Sequence, residues 1–228
     1  QNPTLSNFST MAELAGEMWV PFERYLFNSV IVAVLGTVIY IFIASMAAYP
    51  MAKRRTKGMS IYYTIVVVAI MFRPEVTQIP LYIIMAKLGL IDTYASLICP
   101  VLAGTLGVFL MRQFMETVPD EIIESARIDG AGEFRIFFRM IMPMVKPAWL
   151  TLVIFTFQSL WSTADTTYIY NESMKTLTTV LQQISSAGIA RAGAGAAVAL
   201  VLMIPPVVVF IISQSSVMET MAHSGMKG

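Results

Sequence analysis

Charge is what this chain has least of. Only 13% of its 228 residues are Asp, Glu, Lys or Arg, about half the share found in soluble domains. Cysteine and histidine are scarcer still. Cys99 stands alone, which excludes a disulfide within the chain, and with a single His223 no His/Cys metal site can be assembled. A net charge of +1 gives no basic field for nucleic acid. No signal-peptide pattern opens the sequence. The phosphate-loop pattern G-x-x-x-x-G-K-S/T is absent, and no nucleophile–base pair stands out. Neither nucleotide hydrolysis nor another catalytic activity is expected of this chain, and no catalytic or metal residue is assigned.

What the chain has instead is apolar length. It is 57% hydrophobic with a mean hydropathy of +0.70, in runs too long for one globular core. The expected class is all-α, a polytopic membrane helix bundle. Five spans can be read: about Leu26–Pro50, Ile61–Ile84, Tyr94–Met111, Ala148–Trp161 and Ala196–Ile212. Arg73, Pro74 and Glu75 interrupt the second. The fourth is short for a hydrocarbon core of about 30 Å, so its ends must extend into flanking polar residues.

Basic residues are unevenly shared between the two sides of these spans. Lys53, Arg54, Arg55, Lys57, Arg112, Arg127, Arg135, Arg139, Lys146 and Lys227 fall on one side, and Arg24, Lys87, Lys175 and Arg191 on the other. The positive-inside rule places the first group, and the C-terminus, in the cytoplasm. Residues 1–25 are then an external segment, and 26–228 the membrane domain.

Within that domain, Pro119–Pro147 is the most informative stretch. Thr117 is read as an N-cap with Asp120 three residues on, and Pro119, Asp120 and Glu121 suit a first helical turn. Ile122, Ile123 and Ala126 share one face, and Asp120, Glu124 and Arg127 another. Asp129-Gly130 stops the helix. A second helix follows with Phe134, Phe137, Phe138 and Ile141 as an apolar stripe, broken by Pro143 and Pro147. The expected object is a surface-lying helical elbow gripped by a partner; a helix that only rests on lipid headgroups is the plainer alternative.

The pattern Glu124-Ser125-Ala126-x-x-Asp129-Gly130-Ala131, followed by Phe137 and Pro143, resembles the EAA loop of ABC importer permeases. Further similarities run through Arg24–Ser29, Ala47–Pro50, Ile79–Tyr82, Leu88–Thr93, Phe155-x-Phe157-x-x-x-Trp161, Lys175–Leu177 and Gly225–Gly228. Together they are similar to the second permease subunit of maltose-type carbohydrate importers. Ser125 stands where the motif usually has Ala, and Ser162 follows Trp161 where Asn is usual.

The resemblance implies a type I importer bundle in which the five spans are the family's second to sixth, the first being missing ahead of Gln1. It implies a bacterial cell membrane, a heterodimer with a second homologous permease, a separate ABC ATPase dimer that uses ATP and Mg, and an extracellular solute-binding protein. The solute would be a carbohydrate, an oligosaccharide. The coupling loop would span about 117–147 and hold Glu124, Ser125, Ala126, Asp129, Gly130 and Ala131, with Glu124, Asp129 and Gly130 fixing its shape and polar contacts and Ala126 and Ala131 packing into the ATPase cleft. A non-sugar ABC importer, or a secondary transporter without an ATPase, is the alternative. This chain itself would hold no cofactor.

For the translocation path, the candidates are Arg73, Glu75, Gln78, Phe157 and Trp161. Arg73 lies 12 residues into the second span, roughly 18 Å deep, where ionisable groups face cavities or pair with one another. The aromatic pair could stack on sugar rings or anchor the interface. The external loop, about 162–195, carries Tyr168, Tyr170, Asn171 and Glu172, which the resemblance makes candidates for binding-protein contact.

Overall fold

The computed structural model describes residues 6–16, 20–54, 56–72, 74–164, 167–185 and 192–225. The regular elements among them are all helical. They are α1 (Ser6–Gly16), α2 (Phe22–Lys53), α3 (Lys57–Ile70), α4 (Pro74–Lys87), α5 (Tyr94–Leu102), α6 (Thr105–Glu116), α7 (Asp120–Ile128), α8 (Glu133–Met144), α9 (Lys146–Ser162), α10 (Leu177–Ser185) and α11 (Ala192–Gly225).

Helix α2 organises the rest. Its 32 residues extend about 48 Å, and an apolar run with Pro21 just ahead of the helix makes it continuous from Phe22, four residues before the sequence reading starts it. The face it buries is built of small or polar groups, including Ser29, Ala33, Gly36, Ala44 and Ala48. Small side chains let α5, α6 and α9 approach its backbone. A Cβ on Gly36 would stand 2.5 Å from Leu160 Cδ1 of α9, so any larger residue there must displace the end of that leucine. Outside this centre, α11 packs on α9, α10 joins α11, and α3 lies on α6.

Among the described residues all five expected spans are mainly helical, but only α2 and the 195–214 stretch of α11 are long and apolar enough to cross alone. The second is two helices, α3 and α4, of 14 residues each, about 21 Å apiece. The third is bent by 46° between α5 and α6, and α9 turns 78° away from α8. That last break sits at Val145 (φ −97°, ψ 24°), while Pro143 is carried inside α8 and Pro147 in the first turn of α9.

Two cores stack along α2. One gathers Tyr25, Val32, Leu97, Phe157, Trp161, Leu177 and Leu181. The other gathers Tyr40, Ala48, Met111, Met115, Ile123, Ile136, Ile141 and Leu152. Val101 and Leu102, beside the α5/α6 bend, pack against both. Tyr40 splices the bend: its hydroxyl donates to the Gly104 carbonyl at 3.1 Å and accepts from the Gly107 N–H at 2.8 Å. Tyr40→Phe removes the acceptor of the buried Gly107 N–H and a donor to the half-buried Gly104 carbonyl. It is expected to destabilise the protein by about 1–3 kcal/mol, read as a lower thermal midpoint in detergent.

Candidate functional site

Two irregular segments are fastened to opposite ends of α2, and each carries candidate residues. At one end is the elbow. Thr117 does not cap α7: it ends α6, and its hydroxyl turns back to the Phe114 carbonyl at 2.8 Å. Pro119 holds the N-cap position instead, with Asp120 and Glu121 in the first turn. The correction follows from Val118 and Pro119 being extended or bent between the two helices, which moves the start of α7 two residues on.

The end of α7 is a Schellman closure. Ala131 N–H donates to the Ala126 carbonyl at 2.9 Å and Gly130 N–H to the Arg127 carbonyl at 3.0 Å. Gly130 takes φ +79°, the conformation that glycine accepts without a Cβ penalty. Here the expected stop at Asp129-Gly130 is what the backbone does.

Helix α8 departs from the expected stripe. It contains a π-helical turn over Phe137–Ile141, which adds a residue to the turn and rotates the face beyond it. The buried set is Ile136, Phe137 and Ile141, while Phe134 is 71% exposed and Phe138 46%. From α7, Ile123 and Ala126 join the same core. The elbow is thus wedged into the bundle through five apolar side chains.

Polar contacts fix its height. Lys53, at the last turn of α2, has a side chain only 5% exposed; it pairs with Asp120 at 2.8 Å and donates to the Val118 carbonyl. Tyr49 donates to Glu133 at 3.0 Å, and Arg127 pairs with Glu133 at 2.9 Å across the turn. The Arg127–Glu133 pair is half exposed, so it contributes roughly 0–1 kcal/mol and acts mainly as a spacer. Tyr49 also packs on Phe137, ring centres 5.5 Å apart.

Of the candidates on this loop, Glu124, Ser125, Asp129 and Gly130 are exposed, Ala131 is half-buried, and Ala126 is turned into this chain's own core. Sequence reasoning missed Ile128, which is 87% exposed at the tip. An isoleucine one residue ahead of a helix-stopping Asp-Gly was the available signal.

At the other end of α2, Asn28 is fully buried. Its amide donates to the Ser173 and Lys175 carbonyls at 2.9 and 2.8 Å and accepts from the Tyr94 hydroxyl at 2.7 Å. Ser29 accepts from Leu177 N–H at 2.8 Å. Asp92, in a left-handed conformation (φ 57°), accepts from the Tyr170 and Asn171 N–H groups at 2.6 and 2.8 Å. The 167–176 segment is therefore tied to α2 and to the segment before α5. Asn28 and Asp92 were visible only as members of family-like strings; an asparagine inside an apolar span was a signal of a polar anchor.

Tyr168 is buried and stacks on Tyr82, Glu172 pairs with Lys175 at 2.6 Å, and Tyr170 and Asn171 face outward. Phe157 and Trp161 stack at 5.8 Å, but inside the core: Trp161 is 3% exposed and its indole donates to the Leu202 carbonyl at 2.9 Å. The cluster that buries them includes no described residue of α4, where Gln78 is exposed. Arg73 lies outside the described residues, and of Glu75 only the helical backbone is described.

Residues 40–218 match the family of binding-protein-dependent transport system inner membrane components. Protein LplC of Bacillus subtilis is 31% identical over 78% of this chain and 67% of its own length. The arabinooligosaccharides transport system permease protein AraQ of the same organism is 34% identical over 61% of this chain and 50% of its own. The sn-glycerol-3-phosphate transport system permease protein UgpE of Yersinia enterocolitica is 33% identical over 87% and 72%. The chain thus spans about half to seven-tenths of the length of these curated relatives. In fold it is similar to a bacterial ABC transporter involved in import of the acidic polysaccharide alginate (TM-score 0.80, 20% identity, 94% of this chain and 83% of that one). It is also similar to the inward-facing MetNI methionine ABC transporter (TM-score 0.62, 16% identity, 87% and 95%). The match takes in the elbow and the part of α2 from residue 40 onward that holds it, and the chain belongs to the family of inner-membrane components of binding-protein-dependent transport systems.

Proposed function

We propose that this chain is one permease subunit of an ATP-driven ABC importer that moves a carbohydrate, an oligosaccharide, delivered by an extracellular solute-binding protein. The observation that carries the proposal is the elbow. Its inner face is locked into the bundle by Ile123, Ala126, Ile136, Phe137 and Ile141, while its outer face offers Glu124, Ser125 and Ile128. A partner pushing on that outer face would move α2 with it, because Lys53 ties the two together.

The partners follow from the chemistry the chain lacks. A separate ABC ATPase dimer, holding ATP and Mg, supplies the force at the cytoplasmic end. A second, homologous permease completes the path, since α3 and α4 present wide apolar faces that this chain leaves uncovered, with Ile61 at 62% and Ile79 at 74% exposure. Gln78, with Arg73 and Glu75 in the same stretch, borders that path. Tyr170 and Asn171 meet the binding protein outside, and the C-terminus is cytoplasmic. The name of AraQ supports an oligosaccharide; that of UgpE keeps a small phosphorylated polyol as the second reading.

The test is reconstitution of the co-purified complex in proteoliposomes with its binding protein. Labelled oligosaccharide should accumulate when ATP is present and not when it is omitted. Accumulation driven by an ion gradient alone, with no ATPase subunit in the purified complex, refutes the proposal.

A further inference from the structure

The α2–α3 corner encloses a charged cavity of about 440 Å³. Among its lining cations, Lys53 is committed to Asp120 and Arg112 to Glu116 at 3.0 Å, and Arg112 also sits 3.6 Å over the Tyr63 ring. Arg54 and Lys57 are the two left over. Among the described residues no ion pair engages either side chain. The N-terminus of α3, a helix of 14 residues, opens on the same space through Thr56 and Lys57 and adds the positive end of its dipole. The lining thus carries a surplus of two positive charges, with an anion to be expected between them.

A second cavity, about 390 Å³, adjoins it; Met46, Pro50, Met59, Phe134 and Phe137 form its apolar wall, and Tyr49, Arg54 and Glu133, the last already paired with Arg127 and Tyr49, stand at its polar edge. Arg54 and Met59 border both chambers. The apolar chamber reaches from Pro50 to Met46, about 5–10 Å further along α2 than Lys53 and toward the middle of that spanning helix. From the corner, the flank of α3 continues as exposed aliphatic surface, Ile61 at 62% and Ile65 at 59%. A charged chamber at the end of a spanning helix, joined to an apolar chamber on its membrane side, matches one ligand class. It has a phosphate at one end and hydrocarbon at the other.

We propose that this corner is a binding site for an anionic glycerophospholipid, whose phosphodiester lies between Arg54 and Lys57 and whose acyl chain enters the chamber lined by Met46 and Phe137. Basic pockets between spanning helices on the cytoplasmic side suit such headgroups. A free phosphate shares the headgroup chemistry but has no use for the apolar chamber, and this favours the lipid. The site is independent of which solute the transporter carries.

The experiment uses the intact purified complex, carried through delipidation into phosphatidylcholine with a trace of phosphatidylglycerol, and native mass spectrometry to count retained lipid. The wild type should retain phosphatidylglycerol selectively. Arg54→Gln combined with Lys57→Gln should lose that retention about tenfold or more, and the charge-keeping pair Arg54→Lys with Lys57→Arg should hold it. Excess inorganic phosphate should leave the lipid in place. Equal retention by the neutral pair overturns the proposal, as does loss of the charge-keeping pair's lipid. So does displacement by inorganic phosphate, which would mark an anion site without lipid selectivity. Unchanged lipid with weakened capture of the ATPase subunits would mark the corner as a protein contact and equally overturn it.

Discussion

Ile128→Asp is expected to lower ATP-driven uptake at least tenfold while leaving the abundance of the chain in the membrane unchanged. Ile128 is 87% exposed, so its replacement removes no packing within this chain. If the elbow tip docks in an ATPase cleft, however, burying that side chain there is worth about 1.5–3 kcal/mol, and a buried carboxylate without a partner adds a further penalty. Each 1.4 kcal/mol of lost docking is about tenfold in affinity.

Gly130→Val should act in the same direction for a different reason. Nothing lies within 4 Å of a Cβ at Gly130, but its φ of +79° is a strained conformation for valine, at about 1–2 kcal/mol. Gly132→Ala is the control: the site is equally open, and φ is an ordinary −71°, so uptake should be unchanged. The measurement is ATP-dependent uptake alongside immunoblotting of the membrane fraction. Normal uptake by Ile128→Asp would remove the docking surface from the account.

Asn28→Leu is expected to give the largest loss of stability of any single substitution at the external end. Leucine matches the volume well enough, so the effect is polar. The Lys175 carbonyl loses its donor and the Tyr94 hydroxyl its acceptor, and the Ser173 carbonyl keeps only the long 3.5 Å contact from Arg24 Nε. At about 1–3 kcal/mol for each buried group left unpaired, the total is roughly 3 kcal/mol or more. The thermal midpoint in detergent should fall, and the 171–176 segment should become the first site of proteolysis. Tyr94→Phe, which removes one of the three bonds, should fall between the two. An Asn28→Leu protein that melts with the wild type and resists protease equally would show that the loop is held by its apolar contacts alone.

The two loops differ in how far they could be read. The stop at Gly130 was legible because a left-handed residue after a helix is a local requirement, met by the residue itself. The shared face of Ile123 and Ala126 was legible from helical spacing, but the resemblance sent Ala126 into a partner's cleft, and in the fold it packs in this chain's own core. The stripe on α8 was not legible. Its spacing was read on an unbroken α-helix with Phe134 as its first member, whereas the segment contains a π-helical turn over Phe137–Ile141 and buries Ile136, Phe137 and Ile141, leaving Phe134 and Phe138 outside. Thr117 misled for a related reason: its hydroxyl serves either as the cap of the next helix or as the closure of the last, and only the position of Val118 and Pro119 chooses between them.

Phe157 and Trp161 show the limit of composition. Aromatic residues near a span end suit a sugar, an interface or a core equally well. The choice fell to Leu202, whose carbonyl lies where the indole N–H can donate to it. It comes from α11, some 40 residues away in sequence, and no local pattern announces it.

By itself the sequence determined the helical class, the membrane setting and the place and stop of the elbow, because these depend on apolar length and glycine stereochemistry. The tertiary structure decided that Asn28 and Lys53, at the two ends of one helix, are the residues that hold the external loop and the elbow. Their partners lie 65 to 147 residues away, and a bond across that separation exists only once packing has brought the two backbones together.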